Sequence, residues 1–196
     1  MKQRVVVGIS GASGAAIGLR ILERLAAIVS VETHLVISAA AEETLRQEVG
    51  DDALSRAWEL ADMRYAIDAV GSTIASGSFR TVGMIVAPCS MRTLAAIALS
   101  LSDNLLVRAA DVHLKERRRL VLLTRESPLH LGHLKSMLQV TEMGAIVAPP
   151  VPAFYQLPQS IADIVDAIAA RAIDLLGIAC DPQTESWTGL RRNTGS

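Results

Sequence analysis

The chain has 196 residues, 51% hydrophobic and 20% charged, which is enough to bury one sizeable core and excludes a disordered chain. Its formal net charge is −1 and only 3% of its residues are aromatic, so neither a one-signed field nor a base-stacking surface points to nucleic acid. The two cysteines, Cys89 and Cys180, form no CxxC pair and no metal-ligand spacing, and a reducing cytoplasm is the expected compartment.

The chain opens with an apolar run, Val5-Val6-Val7, which predicts a strand from Arg4 to Ile9. Gly8-Ile9-Ser10-Gly11-Ala12-Ser13-Gly14 follows directly. Glycines at a strand-to-helix junction let the backbone turn tightly and approach a ligand. A helix opening there would aim free N–H groups and its positive dipole end at a phosphate. A plain tight turn with no ligand fits the same residues. Residues 1–9 are too short and too strand-like for a signal peptide.

Ile17, Ile21, Leu25 and Ile28 form the stripe of an amphipathic helix. A second strand is predicted over Val31 to Ile37, ending at Ser38, then a helix from Ala39 to Glu48 with a wet acidic face. Gly50 would stop that helix, and another short one is expected from Asp51 to Met63. Residues 64–82 are less regular, with Ser76-Gly77-Ser78 as a loop. Met84 to Ala87 reads as a buried strand, Pro88-Cys89-Ser90 as a turn, and Met91 to Leu101 as a helix. The apolar stretch from Met84 to Leu101 contains Pro88 and Arg92 and does not read as a membrane span.

Asp103 or Asn104 can cap a helix from Leu105 to about Lys115. A strand over Leu120 to Thr124 follows the basic run Arg117-Arg118-Arg119. Leu131 to Met143 is helical and Gly144 ends it, and Ala145 to Ala148 is a last short strand. Pro149-Pro150-Val151-Pro152 is stiff and extended. Ser160 caps a final helix to about Leu176, and an irregular tail over 177–196 holds Trp187. With no linker or repeat, residues 1–196 read as one domain. Strands alternating with helices predict a doubly wound, mainly parallel α/β sheet, Rossmann-like or flavodoxin-like, with helices on both faces. Ligands of such sheets lie beyond the carboxyl ends of the strands. Ser10 to Gly14, Ser38, Ser90 to Thr93 and Arg125-Glu126 all fall there.

A nicotinamide site is disfavoured, because the glycines are spaced GxxGxxG and Ser38 stands where a ribose-binding acid is expected. Neither Tyr65 nor Tyr155 is followed four residues on by Lys, so the catalytic pair of the short-chain dehydrogenases is missing. Ser90, Met91, Arg92 and Thr93 form a second strand-to-helix junction that suits an anion or simply caps a helix. Arg108, Asp111 and Lys115 share one helix face. That stripe reads first as a solvated face with salt bridges and second as a basic wall for a phosphate. Arg125-Glu126 at a strand end offers an anion ligand beside a proton-transfer group, or a surface ion pair of little weight. Arg171 borders an apolar stripe, where a buried guanidinium needs a partner such as a phosphate or a carboxylate. Tyr155, in a Pro-framed loop, could face an anion or, with Phe154, plug the core. His113, His130 and His133 show no metal pattern and read as structural or solvent-facing.

Taken together, GISGASG (Gly8–Gly14), HLVIS (His34–Ser38), ASGSF (Ala75–Phe79), PCSMRTL (Pro88–Leu94), RAADVHLKERR (Arg108–Arg118), TRESPLHLGHL (Thr124–Leu134) and PPVPAFYQLPQS (Pro149–Ser160) resemble the UbiX-type flavin prenyltransferases. The resemblance spans nearly the whole chain. It implies transfer of a dimethylallyl group from dimethylallyl phosphate to N5 and C6 of reduced FMN, without a metal. The product, prenylated FMN, would serve a partner UbiD-type decarboxylase, in ubiquinone synthesis or in aromatic acid degradation. It also implies a homo-oligomer, commonly a dodecamer built from trimers, with sites between subunits.

Carried over by motif, Gly11, Ala12, Ser13, Ser38, Ser90, Met91, Arg92, Thr93 and Arg125 would bind FMN, with Ser13 near the reacting flavin edge. Arg108, Lys115, Tyr155 and Arg171 would meet the prenyl phosphate, and Trp187 would cover the pocket. Glu126 would transfer a proton, and Glu48 matches a further acid of the family. Met91-Arg92 stands where relatives frequently carry Met-Lys or Ile-Lys; Arg keeps the charge but is forked and bulkier. The flavin-dependent cysteine decarboxylases are a rival class, but residues 64–75 lack the His they use. A non-catalytic FMN-binding subunit that delivers flavin to a decarboxylase is the second alternative.

Overall fold

A computed structural model describes residues 2–184. Six strands, β1 (Gln3–Ile9), β2 (Val31–Ile37), β3 (Met63–Tyr65), β4 (Gly83–Cys89), β5 (Arg119–Thr124) and β6 (Ile146–Val147), form one sheet in the order β3-β2-β1-β4-β5-β6. Every adjacent pair is parallel. Among the described residues seven α-helices cover it: α1 (Ala15–Ala26), α2 (Ala39–Glu48), α3 (Ala53–Leu60), α4 (Met91–Ala98), α5 (Leu105–Lys115), α6 (Leu131–Glu142) and α7 (Ile161–Leu176). Single 3-10 turns span Thr73–Ala75 and Phe154–Gln156.

Strand side chains alternate between faces, and so the sheet carries two cores. Val5, Val7, Ile9, Ile85, Val121 and Leu123 face one side and pack with α1, α2, α3 and α7. Val6, Val36, Met84, Val86, Leu120 and Leu122 face the other and pack with α4, α5 and α6. A sheet buried on both faces needs continuous apolar strands, which is why the centres of β1, β4 and β5 are unbroken apolar runs. Each fully buried Leu or Ile contributes about 1.5–3 kcal/mol of transfer free energy. The helix α1 lies close against β4: a Cβ on Gly18 would stand 2.3 Å from the Ala87 carbonyl oxygen. Only glycine permits that approach.

The expected doubly wound α/β class holds, with several boundaries shifted. The short helix expected from Asp51 to Met63 ends at Leu60, and Met63–Tyr65 is an edge strand instead. Pro88 and Cys89 belong to β4 rather than to a turn. The helix from Met91 stops at Ala98, before Ser100 and Ser102 take positive φ values of 51° and 49°. Final helix α7 has a complete capping box, Ser160 Oγ with Asp163 N and the Asp163 carboxylate with Ser160 N.

His113 is structural. Its Nδ1 meets the Ala109 carbonyl at 2.7 Å, its Nε2 meets Thr81 Oγ1 at 2.8 Å, and burial pushes its pKa down from 6.5 to about 4. The unfolded chain therefore takes up this proton first as the pH falls, so the stability this neutral histidine contributes is present above pH 6.5 and is lost on descending toward 4. Denaturant unfolding is expected to show a loss over that window of which about 3 kcal/mol disappears in His113→Gln. Identical pH dependence in the two proteins would contradict this.

Candidate functional site

The strand order reverses between β1 and β4, whose following segments lead to opposite faces. That is the topological switch point, where a crevice opens outside the carboxyl ends of the strands. The Gly11–Gly14 turn leaves β1 there, Ser90 to Thr93 leaves β4, Ser38 ends β2, and Arg125 and Glu126 follow β5. All the residues expected to bind FMN thus share this edge of the sheet. Buried Ser10 ties the first two segments together: its Oγ donates to the Pro88 carbonyl at 2.9 Å and accepts from Ser90 N at 2.8 Å. Sequence reasoning placed Ser10 in the turn but gave it no role, because its partners lie 78 and 80 residues away.

Each loop is held by its own local chemistry. A Cβ on Gly11 would come within 2.4 Å of the Ala40 Cβ, so the turn rests directly on the first turn of α2. Ser38 Oγ accepts from Ala41 N and caps α2; Ser90 Oγ accepts from Thr93 N and caps α4. The first N–H groups of α2 and α4, just after these caps, have no intrahelical acceptor. Met91 is half-buried against the α4–α6 core, whereas Arg92 is exposed and pairs with Asp103 at 2.7 Å.

The start of α1 differs from expectation. Gly14 N and Ala15 N, two of the N–H groups read from the sequence as a free phosphate cradle, donate to Glu48 Oε2 at 2.9 and 2.8 Å. The carboxylate already balances the positive helix end. Glu48, a candidate catalytic acid, is in this structure an anchor for the glycine turn, next to exposed Ser13.

At the β5 end, Arg125 is exposed and has no ion pair among the described residues. Its backbone N–H donates to the Cys89 carbonyl at 3.1 Å, which fixes it beside the β4 loop. Glu126 is exposed, with Oε1 accepting from Ser127 N at 3.0 Å. Thr124 Oγ1 is buried and has no hydrogen-bond partner among the described residues. A buried, unsatisfied hydroxyl is costly, and one on the last residue of β5, next to Arg125, fits a polar group bound at this end of the strand. The cap of α6 is His130, whose Nδ1 accepts from Gly132 N at 2.9 Å.

The residues expected to meet the prenyl phosphate fall into two separate groups. Tyr155 and Arg171 line a cavity of about 510 Å³ between α7 and the 148–156 segment, walled by Leu123, Ala148, Ile168 and Ala172. Tyr155 is 65% exposed and Phe154 70%, so they do not plug the core. Arg171 is also exposed, and the burial argument made for it from the sequence does not apply within one chain. Arg108 and Lys115 sit on α5, on the other face of the sheet. Arg108 Nη1 pairs with Asp111 at 2.9 Å and its Nε donates to the Ala75 carbonyl at 3.3 Å; Lys115 pairs with Glu116. Lys115 ends α5 just before β5 begins, at the amino edge of the sheet and away from the crevice. The two groups therefore do not converge within one chain. Trp187 lies outside the described residues.

A family model described as Flavoprotein matches residues 1–173. The flavin prenyltransferase UbiX of Neisseria meningitidis serogroup B is 53% identical over 190 residues, covering 97% of this chain and 99% of that protein. A dodecameric FMN-dependent UbiX-like decarboxylase from Escherichia coli O157:H7 superposes with a TM-score of 0.90 at 44% identity, over 95% of this chain and 100% of that one. AnUbiX, solved in complex with FMN and dimethylallyl pyrophosphate, also gives a TM-score of 0.90, at 46% identity over 97% and 100% of the two chains. The chain belongs to the UbiX-type flavin prenyltransferases, within the flavoprotein family.

Proposed function

We propose that this protein transfers the dimethylallyl group of dimethylallyl phosphate to N5 and C6 of reduced FMN. The observation that carries the reading is the pairing of a switch-point crevice, where the Thr124 hydroxyl and Arg125 have no side-chain partner among the described residues, and an aliphatic cavity edged by Tyr155 and Arg171. One site suits a flavin mononucleotide, the other a short apolar chain bearing a phosphate. Gly11, Ala12, Ser13, Ser38, Ser90, Met91, Arg92, Thr93 and Arg125 would hold the flavin. FMN, bound reduced, supplies the nucleophilic ring edge that accepts the prenyl group.

The protein's own part is electrostatic. Arg108, Lys115, Tyr155 and Arg171 gather around the phosphate and stabilise it as it leaves. Glu126 moves a proton at the carboxyl end of β5. Leu123, Ala148, Ile168 and Ala172 exclude water from the allylic carbon as it gains positive charge. The non-catalytic alternative, a subunit that only delivers FMN, needs no such second anion group.

The phosphate ligands can converge only if copies of the chain contribute different faces. The surface is suited to this. Leu131, Leu134 and Leu138 line one side of α6 at 66%, 50% and 59% exposure, and Phe154, Leu157 and Ile161 form a second apolar patch. Patches of this kind mark association surfaces, and we assign a homo-oligomer, a dodecamer as in the Escherichia coli O157:H7 structure. Among the described residues no helix is long and apolar enough to cross a membrane, in keeping with a cytoplasmic enzyme. Its product would pass to a UbiD-type decarboxylase.

Anaerobic incubation of the purified protein with reduced FMN and dimethylallyl phosphate tests the activity. The expected result is a changed flavin spectrum and a flavin heavier by one dimethylallyl group. An unchanged flavin mass would favour the delivery subunit.

A further inference from the structure

The segments around His34 and across Ala75–Phe79 have no role in the reading above, yet they meet on the α5 face of the sheet. His34, 2% exposed on β2, is held between two groups: Nε2 lies 2.9 Å from Glu32 Oε1 and Nδ1 lies 2.9 Å from the Tyr65 hydroxyl. That hydroxyl lies 2.9 Å from Thr73 Oγ1, the first residue of the 3-10 turn Thr73–Ala75. The ring of His34 stacks on Tyr65 and meets the edge of Phe79, whose face carries the Arg4 guanidinium at 4.5 Å.

The directions of these hydrogen bonds follow from the partners. The Glu32 carboxylate only accepts, so Nε2 carries the proton. Burial holds His34 below its ordinary pKa and therefore neutral near pH 7. Nδ1 then accepts from Tyr65, and Tyr65 accepts from Thr73. The chain of donors runs one way, from the 3-10 turn into the sheet.

The same turn ends in Ala75, whose carbonyl accepts from Arg108 Nε. Ile74, 2% exposed, pins the turn to the core between these two contacts. Past the turn, Arg118 holds the Gly77 and Phe79 carbonyls, and a Cβ on Gly77 would stand 2.7 Å from Lys115 Nζ. One loop is thus anchored to β2 on one side and braces both cations of α5 on the other.

We infer that Tyr65, backed by His34 and acting through Thr73, is a positioning residue for Arg108 and so for the prenyl phosphate. The inference rests on the reading of Arg108 as a phosphate ligand. With the Tyr65 hydroxyl removed, the turn loses its hydrogen-bonded tie to the sheet at Thr73, and the Ala75 carbonyl holds the guanidinium less firmly.

The test is donor kinetics with reduced FMN in the assembled enzyme. Tyr65→Phe keeps the ring stacked on His34 and is expected to raise KM for dimethylallyl phosphate about tenfold. FMN affinity and kcat at saturating donor should stay within about twofold, as for loss of an interaction made equally in the ground and transition states. Thr73 is exposed and tolerates change; Thr73→Val should repeat the KM effect and Thr73→Ser should restore the parent value. A merely structural role would lower Tm in Tyr65→Phe and leave KM unchanged. If Arg108→Gln raises KM and Tyr65→Phe does not, the inference fails and the reading of Arg108 stands. If neither raises it, that reading fails and the inference with it.

Discussion

Replacing Glu126 by glutamine is expected to lower kcat by about 10²–10³, the usual worth of a positioned proton-transfer group. FMN affinity and the KM for the donor should stay within about twofold. The substitution is isosteric, and a glutamine oxygen can still accept the 3.0 Å hydrogen bond from Ser127 N, so the loop after β5 keeps its shape. What is lost is the capacity to take and return a proton. The nearest cation in sequence, Arg125, cannot substitute, because a guanidinium stays protonated. The measurement is the rate of formation of prenylated flavin under anaerobic conditions, with flavin binding followed separately by fluorescence. A rate unchanged in Glu126→Gln would remove Glu126 from the proton path.

Much of this arrangement was legible in the sequence where local rules act. The helices Ala39–Glu48, Leu105–Lys115 and Ile161–Leu176 match the expected spans; Ser160 caps the last and Asn104, rather than Asp103, the second, while Ser38, legible only as a strand end, caps the first. The strand ends that carry Ser38, Arg125 and Glu126 were also placed correctly, since each follows an apolar run. The edge strand Met63–Tyr65 was not found: it is three residues long, two of them exposed, and its pairing with β2 leaves no apolar period.

The contacts that were not legible are long-range. Glu48 reads from the sequence as part of a wet helix face and as a match to a further family acid; its partners, the backbone of Gly14 and Ala15, are 34 and 33 residues away. Ser10 and Tyr65 carried no signal for the same reason. Arg108, Lys115, Tyr155 and Arg171 are expected at one prenyl-phosphate site, with sites between subunits, and within one chain α5, with Arg108 and Lys115, and α7, with Arg171, cover opposite faces of the sheet. Helix phase places each on its own helix face, but it does not say which side of the sheet the helix covers.

That separation gives the second large effect. Arg108→Ala and Arg171→Ala are each expected to lower kcat/KM for dimethylallyl phosphate by about 10², as for loss of a transition-state cation. Within one chain these residues occupy opposite faces of the sheet. If the functional site takes Arg108 from one copy and Arg171 from another, then an oligomer mixed from the two variants contains some sites with both arginines intact. If both came from the same copy, every site of the mixed oligomer would carry one lesion.

The direct measurement is therefore the activity of hybrid oligomers, made by co-expressing differently tagged Arg108→Ala and Arg171→Ala chains and purifying through both tags. Prenyl transfer well above that of either variant alone is expected. Activity no higher than the two parents, in hybrids confirmed to contain both chains, would contradict a site shared between subunits.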